Sequence, residues 1–211
     1  MTAPTNPTVL SSFAQLIAGH TGDVIPVPPA ELQSWLPDLT VPPGWADATV
    51  SGAPVTRILL RRLGDGQDWD GCEVLKLCRV PGVVPETVVF DTADRVLRDS
   101  GATEIRTHRV DTPAHYGVIA VRSSGALGAG ARKVHSHFHH YVVNTAAGCG
   151  LIEQTILIGA GVGLALGREV ADLTENLYRS LLTSIARASN PSTVLQDCET
   201  SHERHSRQLP R

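Results

Sequence analysis

The period of the apolar positions changes several times along the chain, and each change marks an element. Val9, Phe13, Leu16 and Ile17 recur at helical spacing. This predicts a first helix over Val9 to Ala18, with Thr8 or Ser11 as N-cap and Gly19 and Gly22 ending it. A Pro-rich connector, Val24 to Pro29, leads to one amphipathic turn, Ala30 to Leu36. Pro42-Pro43-Gly44-Trp45 follows, where two fixed φ angles pin a turn and set the indole toward the apolar side. Val55 to Leu63 and Cys72 to Val80 read as strands of an antiparallel hairpin, with Gly64-Asp65-Gly66 between them. From Pro85 to Ser100 the period returns to 3.6, with Val89, Ala93, Val96 and Leu97 on one face and Gly101 beyond the end.

Strand signals resume at Thr103 to Val110 and Tyr116 to Arg122, separated by Asp111-Thr112-Pro113. Ser123 to Gly130, rich in Gly and Ser, reads as a mobile loop. Two longer strands follow, Lys133 to Val143 and Cys149 to Ile158, joined by Asn144 to Gly148. Arg168 to Arg187 carries a continuous stripe of Val170, Leu173, Leu177, Leu181 and Ile185. Glu169, Asp172 and Glu175 sit early and Arg179 and Arg187 late, as the helix dipole favours. The order α, β–β, α, β–β–β–β, α predicts an α+β fold, an antiparallel sheet of about six strands covered by helices. Residues 8–189 form the single domain in this reading, with 1–7 a flexible N-terminus and 190–211 a disordered tail. The His-bearing strand, 133–143, is a candidate sheet edge, and the polar outer face of the last helix argues against a helix-mediated dimer.

Composition narrows the classes. The 211 residues hold Lys+Arg 18 against Asp+Glu 21, a net charge of −3, which excludes a dominantly basic nucleic-acid binder. Hydrophobic residues make up 42% and aromatics 4%, so the core must be aliphatic. A domain of this length buries roughly 70% of its unfolded surface and needs no staple. No stretch reaches the ~18–20 apolar residues of a membrane span, and no basic region followed by an apolar run opens the chain. The expectation is cytoplasmic, with leaderless secretion left open. Cys72 and Cys78 share one strand and lie too far apart to bridge, while a bridge from either to Cys149 fits neighbouring strands; their burial tendency favours reduced thiols.

The N-terminal helix, the Pro42-Pro43-Gly44-Trp45 turn, the strand pair, the central helix, the antiparallel run and the closing amphipathic helix together resemble the actinobacterial LpqN-type proteins. The likeness covers roughly Val9 to Ile185, and only the Pro-Pro-Gly-Trp turn is a match of residues. It implies the PsbP-like fold, an αβα sandwich without established catalytic residues that acts through interaction surfaces. The chain departs from that family in lacking a signal peptide and a lipobox Cys near its start, so membrane anchoring is not carried over.

The sharpest chemical feature is His135-Ser136-His137-Phe138-His139-His140, four of the nine histidines in six residues. On a strand His135, His137 and His139 share a face, and H-x-H is a metal-chelating pattern. They are the candidate metal ligands, for zinc or copper. A complete site needs a ligand from a neighbouring strand, with His108, His115, Glu153 or a Cys available. The plain alternative is a solvated strand face with Phe138 and Val142 inward; a pH-responsive surface is a third. Gly159-Ala160-Gly161-Val162-Gly163 fails the dinucleotide fingerprint, because Leu164 and Leu166 stand where the last glycine belongs, and reads as a turn into the last helix. G-x-S-x-G, H-E-x-x-H and a P-loop lysine are absent. Asp65, Asp68, Asp70 and Glu73 read as solvated acids or a weak cation site. Arg57, Arg61, Arg62 and Arg79 read as edge protection or a small basic patch. Two functions follow: a non-enzymatic binding module for an unknown protein partner or small ligand, and a metal-dependent enzyme or sensor built on the His135–His140 strand. The first places its surface on the sheet or on the Gly-rich segments 123–130 and 159–167, and a small apolar ligand between sheet and helices belongs to the same class.

Overall fold

The computed structural model describes residues 12–49, 54–63, 69–113, 116–129, 132–146 and 148–189. The predicted flexible N-terminus, the C-terminal tail, Asp65, Asp68, His115 and Cys198 lie outside them.

Helix α1 (Phe13–Thr21) starts at Ser12, whose hydroxyl accepts from the Gln15 N–H while the Gln15 side chain accepts from the Ser12 N–H. The cap is therefore neither Thr8 nor Ser11. Gly22, at φ 91°, ends it. Strand β1 (Ile25–Pro26), a 3-10 turn at Pro29–Glu31 and α2 (Leu32–Trp35) occupy the Pro-rich region. Then come β2 (Trp45–Ala48), β3 (Arg57–Arg61) and β4 (Gly71–Val80).

The expected helix over Pro85 to Ser100 is two helices, α3 (Glu86–Thr92) and α4 (Arg95–Asp99). The Thr92 hydroxyl bonds back to the Val88 carbonyl, and the Ala93 carbonyl, which a continuing helix would use, accepts from the Ser123 hydroxyl at 2.9 Å. The four remaining strands form a meander, β5 (Thr103–Val110), β6 (Val118–Ala129), β7 (Arg132–Thr145) and β8 (Gly148–Gly159). The mobile loop expected at Ser123 to Gly130 is thus mostly strand: β6 stays paired with β7 from Val118 to Ala129. A 3-10 turn at Ala160–Val162 delivers α5 (Gly163–Ser189), so the Gly-rich segment 159–167 is largely helix.

All pairings are antiparallel, in the order β2-β3-β4-β8-β7-β6-β5, with β1 also on β4. The sheet has eight strands where about six were expected, because β1 and β2 are too short to show a period. The edge strands are β2 and β5. The His-bearing β7 lies between β6 and β8, not at an edge, since two consecutive hairpins enclose it. Beyond β3, the outer margin of β4 continues with β1. The Thr56 hydroxyl closes that junction, donating to the Val27 carbonyl and accepting from the Leu77 N–H.

Both faces are covered. On one, Leu75, Leu77, Tyr141 and Ile152 pack against Leu36 of the α2 segment and against Leu177 and Leu181 of α5. Near Trp45, the Leu59, Ile156 and Ile158 side chains meet Leu166, Val170 and Leu173. On the other face Cys78, Val80, Val142 and Leu151 pack under Phe13 and Ile17 of α1 and Val89 of α3. The two layers of helix around one sheet give the αβα sandwich.

Candidate functional site

One transverse row of side chains crosses the α5 face of the sheet. Arg57 stands opposite Leu75, Leu75 opposite Gln154, Gln154 opposite His139, His139 opposite Arg122, and Arg122 opposite His108. Except at Leu75, every position is polar, and Glu73, one step along β4, fills that gap. Arg57 donates to Glu73 at 2.7 Å and Gln154 Nε2 donates to the other Glu73 oxygen at 2.7 Å. The Gln154 carbonyl oxygen therefore faces His139 Nδ1, 2.9 Å away. The Thr174 hydroxyl on α5 spends its proton on the Val170 carbonyl, so at 3.1 Å it too accepts from His139 Nδ1. These partners fix the Nδ1–H tautomer and leave Nε2 with its lone pair. Burial pushes His139 down to about 3, so the ring is neutral.

The row ends in a cleft of about 550 Å³ between β5–β7 and the first half of α5. His108, Arg122, Ser124, His137 and His139 form the sheet wall; Thr174, Asp172 and Glu175 stand on the helix wall. Among the described residues nine Lys and Arg side chains pair with carboxylates, whereas Arg122 makes no ion pair and its Nε is buried without a hydrogen bond. Glu175 is turned toward Arg179, 3.5 Å away. Burial lowers His137 from its ordinary value, helped by His135. The cleft therefore presents a guanidinium in no ion pair beside the His137 and His139 rings, with Asp172 and Glu175 on the facing helix.

The predicted His residues separate. His139 is buried in the cleft, His137 half-buried at its mouth, and His135 exposed beyond it. Among the described residues no group of three His, Cys, Asp or Glu is placed to hold a metal ion, and Arg122 stands between His108 and His139. His140 and Glu153 are on the opposite face. There His140 stacks on Phe13 with centroids 3.8 Å apart and both its nitrogens lack partners. Glu153, pushed up by burial, takes the Ala14 N–H at 3.5 Å.

Glu73 is no solvated acid but a fully buried one, because it shares a face with Leu75 and Leu77. The expected basic patch dissolves for the same reason of facing: Arg57 goes to Glu73, Arg61 to Glu169 and Arg79 to Glu31. Asp70 accepts from the Leu63 N–H. Cys72, Cys78 and Cys149 are free thiols, each pushed up to about 11 by burial, and Cys72 faces Leu157, far along β8 from Cys149. Arg122, Gln154 and Thr174 were not singled out from the sequence. Gln154 carried a signal, a polar residue in register with Ile152 and Ile156 on an otherwise apolar face.

No protein-family description matches the chain, and no curated protein does. Among solved structures, LpqN of Mycobacterium tuberculosis, described as involved in cell envelope biogenesis, superposes with a TM-score of 0.55 at 15% identity, over 74% of this chain and 87% of that one. The chain has the LpqN fold. Cyanobacterial PsbP of Synechocystis gives a TM-score of 0.42 at 14% identity, over 64% and 82%. The Ran-binding protein Mog1p of Saccharomyces cerevisiae gives 0.42 at 12%, over 69% and 90%. The resemblance expected from the element order therefore holds for the fold, and the LpqN likeness extends no further than that.

Proposed function

We propose that the protein is a non-enzymatic binding module whose cleft between β5–β7 and α5 takes a small ligand through an anionic group. The observation that carries this reading is Arg122, a guanidinium lining the cleft that has no carboxylate partner among the described residues, where nine other cations have one. A planar anion can take two parallel N–H bonds from such a fork. Ser124 adds a hydroxyl beside it, and the His139 ring is held rigidly by Gln154 and Thr174. The half-buried thiol of Cys72 and the buried thiols of Cys78 and Cys149 do not line this cleft. Calorimetric titration with acetate and with inorganic phosphate at fixed ionic strength tests the reading. Binding that disappears in Arg122→Gln supports it; no heat with either anion, or equal binding by the variant, overturns it.

A second reading is a zinc or copper site on His137 and His139. It is favoured by the His139 tautomer, which directs the lone pair of Nε2 away from its hydrogen-bonded side, as in metal-bound imidazoles. Stoichiometric metal in the purified protein that is lost in a His137→Ala/His139→Ala double variant would establish it.

A further inference from the structure

The cleft continues past Arg122. One step along the strands, Arg106 stands opposite Ser124 and Ser124 opposite His137. This second row opens into a recess of about 190 Å³ lined by Glu104, Arg106, Ser124, Ala126, His135 and His137. Ser124 and His137 line both spaces, so the two share a wall. The small side chains of Ser124 and Ala126 floor a trough, with taller rows on β5 and β7 to either side.

Arg106, like Arg122, makes no ion pair among the described residues, although Arg109 on the same strand is paired with Glu86. Glu104, the one described non-glycine residue at positive φ (56°), sits in the bulge that shifts β5 between Thr103 and Arg106. Bulges of this kind re-aim side chains. The trough thus carries two unpaired guanidiniums, one per recess, separated by one strand and by two residues along it. That geometry sets them roughly 8 Å apart at Cα.

We propose that the ligand is a small α,ω-dicarboxylate held at both ends, one carboxylate on Arg122 and the other on Arg106, with its methylene chain over Ser124. This rests on the reading of the cleft as an anion site and names the ligand class. Two separate arginines favour two separated planar charges, whereas a diphosphate concentrates its charge within a single row. Glu104 in the recess and Asp172 and Glu175 on the helix wall disfavour a ligand with further negative charge between its ends.

The experiment is calorimetry at fixed ionic strength with acetate, succinate, glutarate, adipate, pimelate and pyrophosphate on wild type, Arg106→Gln, Arg106→Lys and Arg122→Gln. Affinity is expected to peak between glutarate and pimelate, about tenfold or more above acetate, from the second charge-assisted contact. Arg106→Gln should flatten the peak to the acetate level, Arg106→Lys should restore part of it, and Arg122→Gln should abolish all binding. Arg106 is exposed, so its variants test binding and not folding. Affinity independent of chain length, a peak surviving in Arg106→Gln, or pyrophosphate binding tighter than every dicarboxylate overturns the proposal while leaving the anion site standing. Absence of binding by every anion overturns both.

Discussion

His139 and His140 are neighbours in sequence, both buried, both held neutral at about 3 by burial, and they do opposite things. His139 faces α5 and is locked by Gln154 and Thr174, with a lone pair left over beside a cleft. His140 faces α1, lies flat on Phe13 and has no hydrogen bond on either nitrogen. The same side chain is a positioned polar group on one face and an aromatic filler on the other. Burial alone therefore does not distinguish the two rings; the hydrogen-bond partners and the open volume beside His139 do.

The contrast can be broken from the polar side first. Glu73→Leu strands the Arg57 guanidinium in the core, and loss of one partner of a buried pair costs about 3–5 kcal/mol. Urea denaturation checks this, and a loss under about 1 kcal/mol would mean the row is not a connected network. Next in size, Gln154→Leu orphans a Glu73 oxygen and leaves His139 Nδ1 with Thr174 alone, for a loss of about 2–3 kcal/mol. Anion binding should weaken with it if His139 is positioned by Gln154.

Acid sharpens the comparison. Both histidines stay neutral in the fold down to about 3, while the unfolded chain takes up the protons near 6.5. The unfolded state binds more protons over that window, so stability falls on acidification through it. The slope is up to about 1.4 kcal/mol per pH unit for each ring. Glu153, raised by burial, works the other way: its contribution is present below the ordinary carboxylate value and lost as pH rises through its raised one. Melting curves of His140→Phe between pH 4 and 7 should show a slope smaller by up to about 1.4 kcal/mol per pH unit, with His139 and His137 supplying the rest. The smallest effect is at neutral pH, where His140→Phe should change stability by less than about 1 kcal/mol in either direction. It keeps a ring against Phe13 and removes two unpartnered nitrogens. A loss above about 2 kcal/mol would give the His140 nitrogens a role that their surroundings do not suggest.

Much of the fold was legible because period is a local property: β5, β7, β8 and α5 lie close to where their alternation or stripe put them. The errors came where a tertiary contact overrode composition. Ser123 to Gly130 looked like a loop, yet a Cβ on Gly125 would meet the Thr103 carbonyl at 3.2 Å and the Ala102 Cβ at 3.3 Å. Small residues are required there because another backbone crosses the strand, not because the chain is loose. The site was half visible. The His cluster lies on a strand that lines the candidate cleft, but His139 gains its orientation from Gln154 and Thr174, fifteen and thirty-five positions away. Arg122 stands out only once its lack of a partner can be compared with Arg57, Arg61 and Arg79, and sequence spacing carries no information on pairing.

The Thr56 junction bears on the order of assembly. β3 and β4 meet as a hairpin across a short connection, whereas β1 reaches β4 from far earlier in the chain and spans only two residues. Contacts that close short loops form ahead of those that close long ones. Loop length alone therefore predicts that Thr56 is seated on Leu75 and Leu77 before the Val27 carbonyl takes its hydroxyl proton. The two-residue N-terminal strand is expected to open first at that margin, so amide exchange should be faster at Val27 than at Leu77.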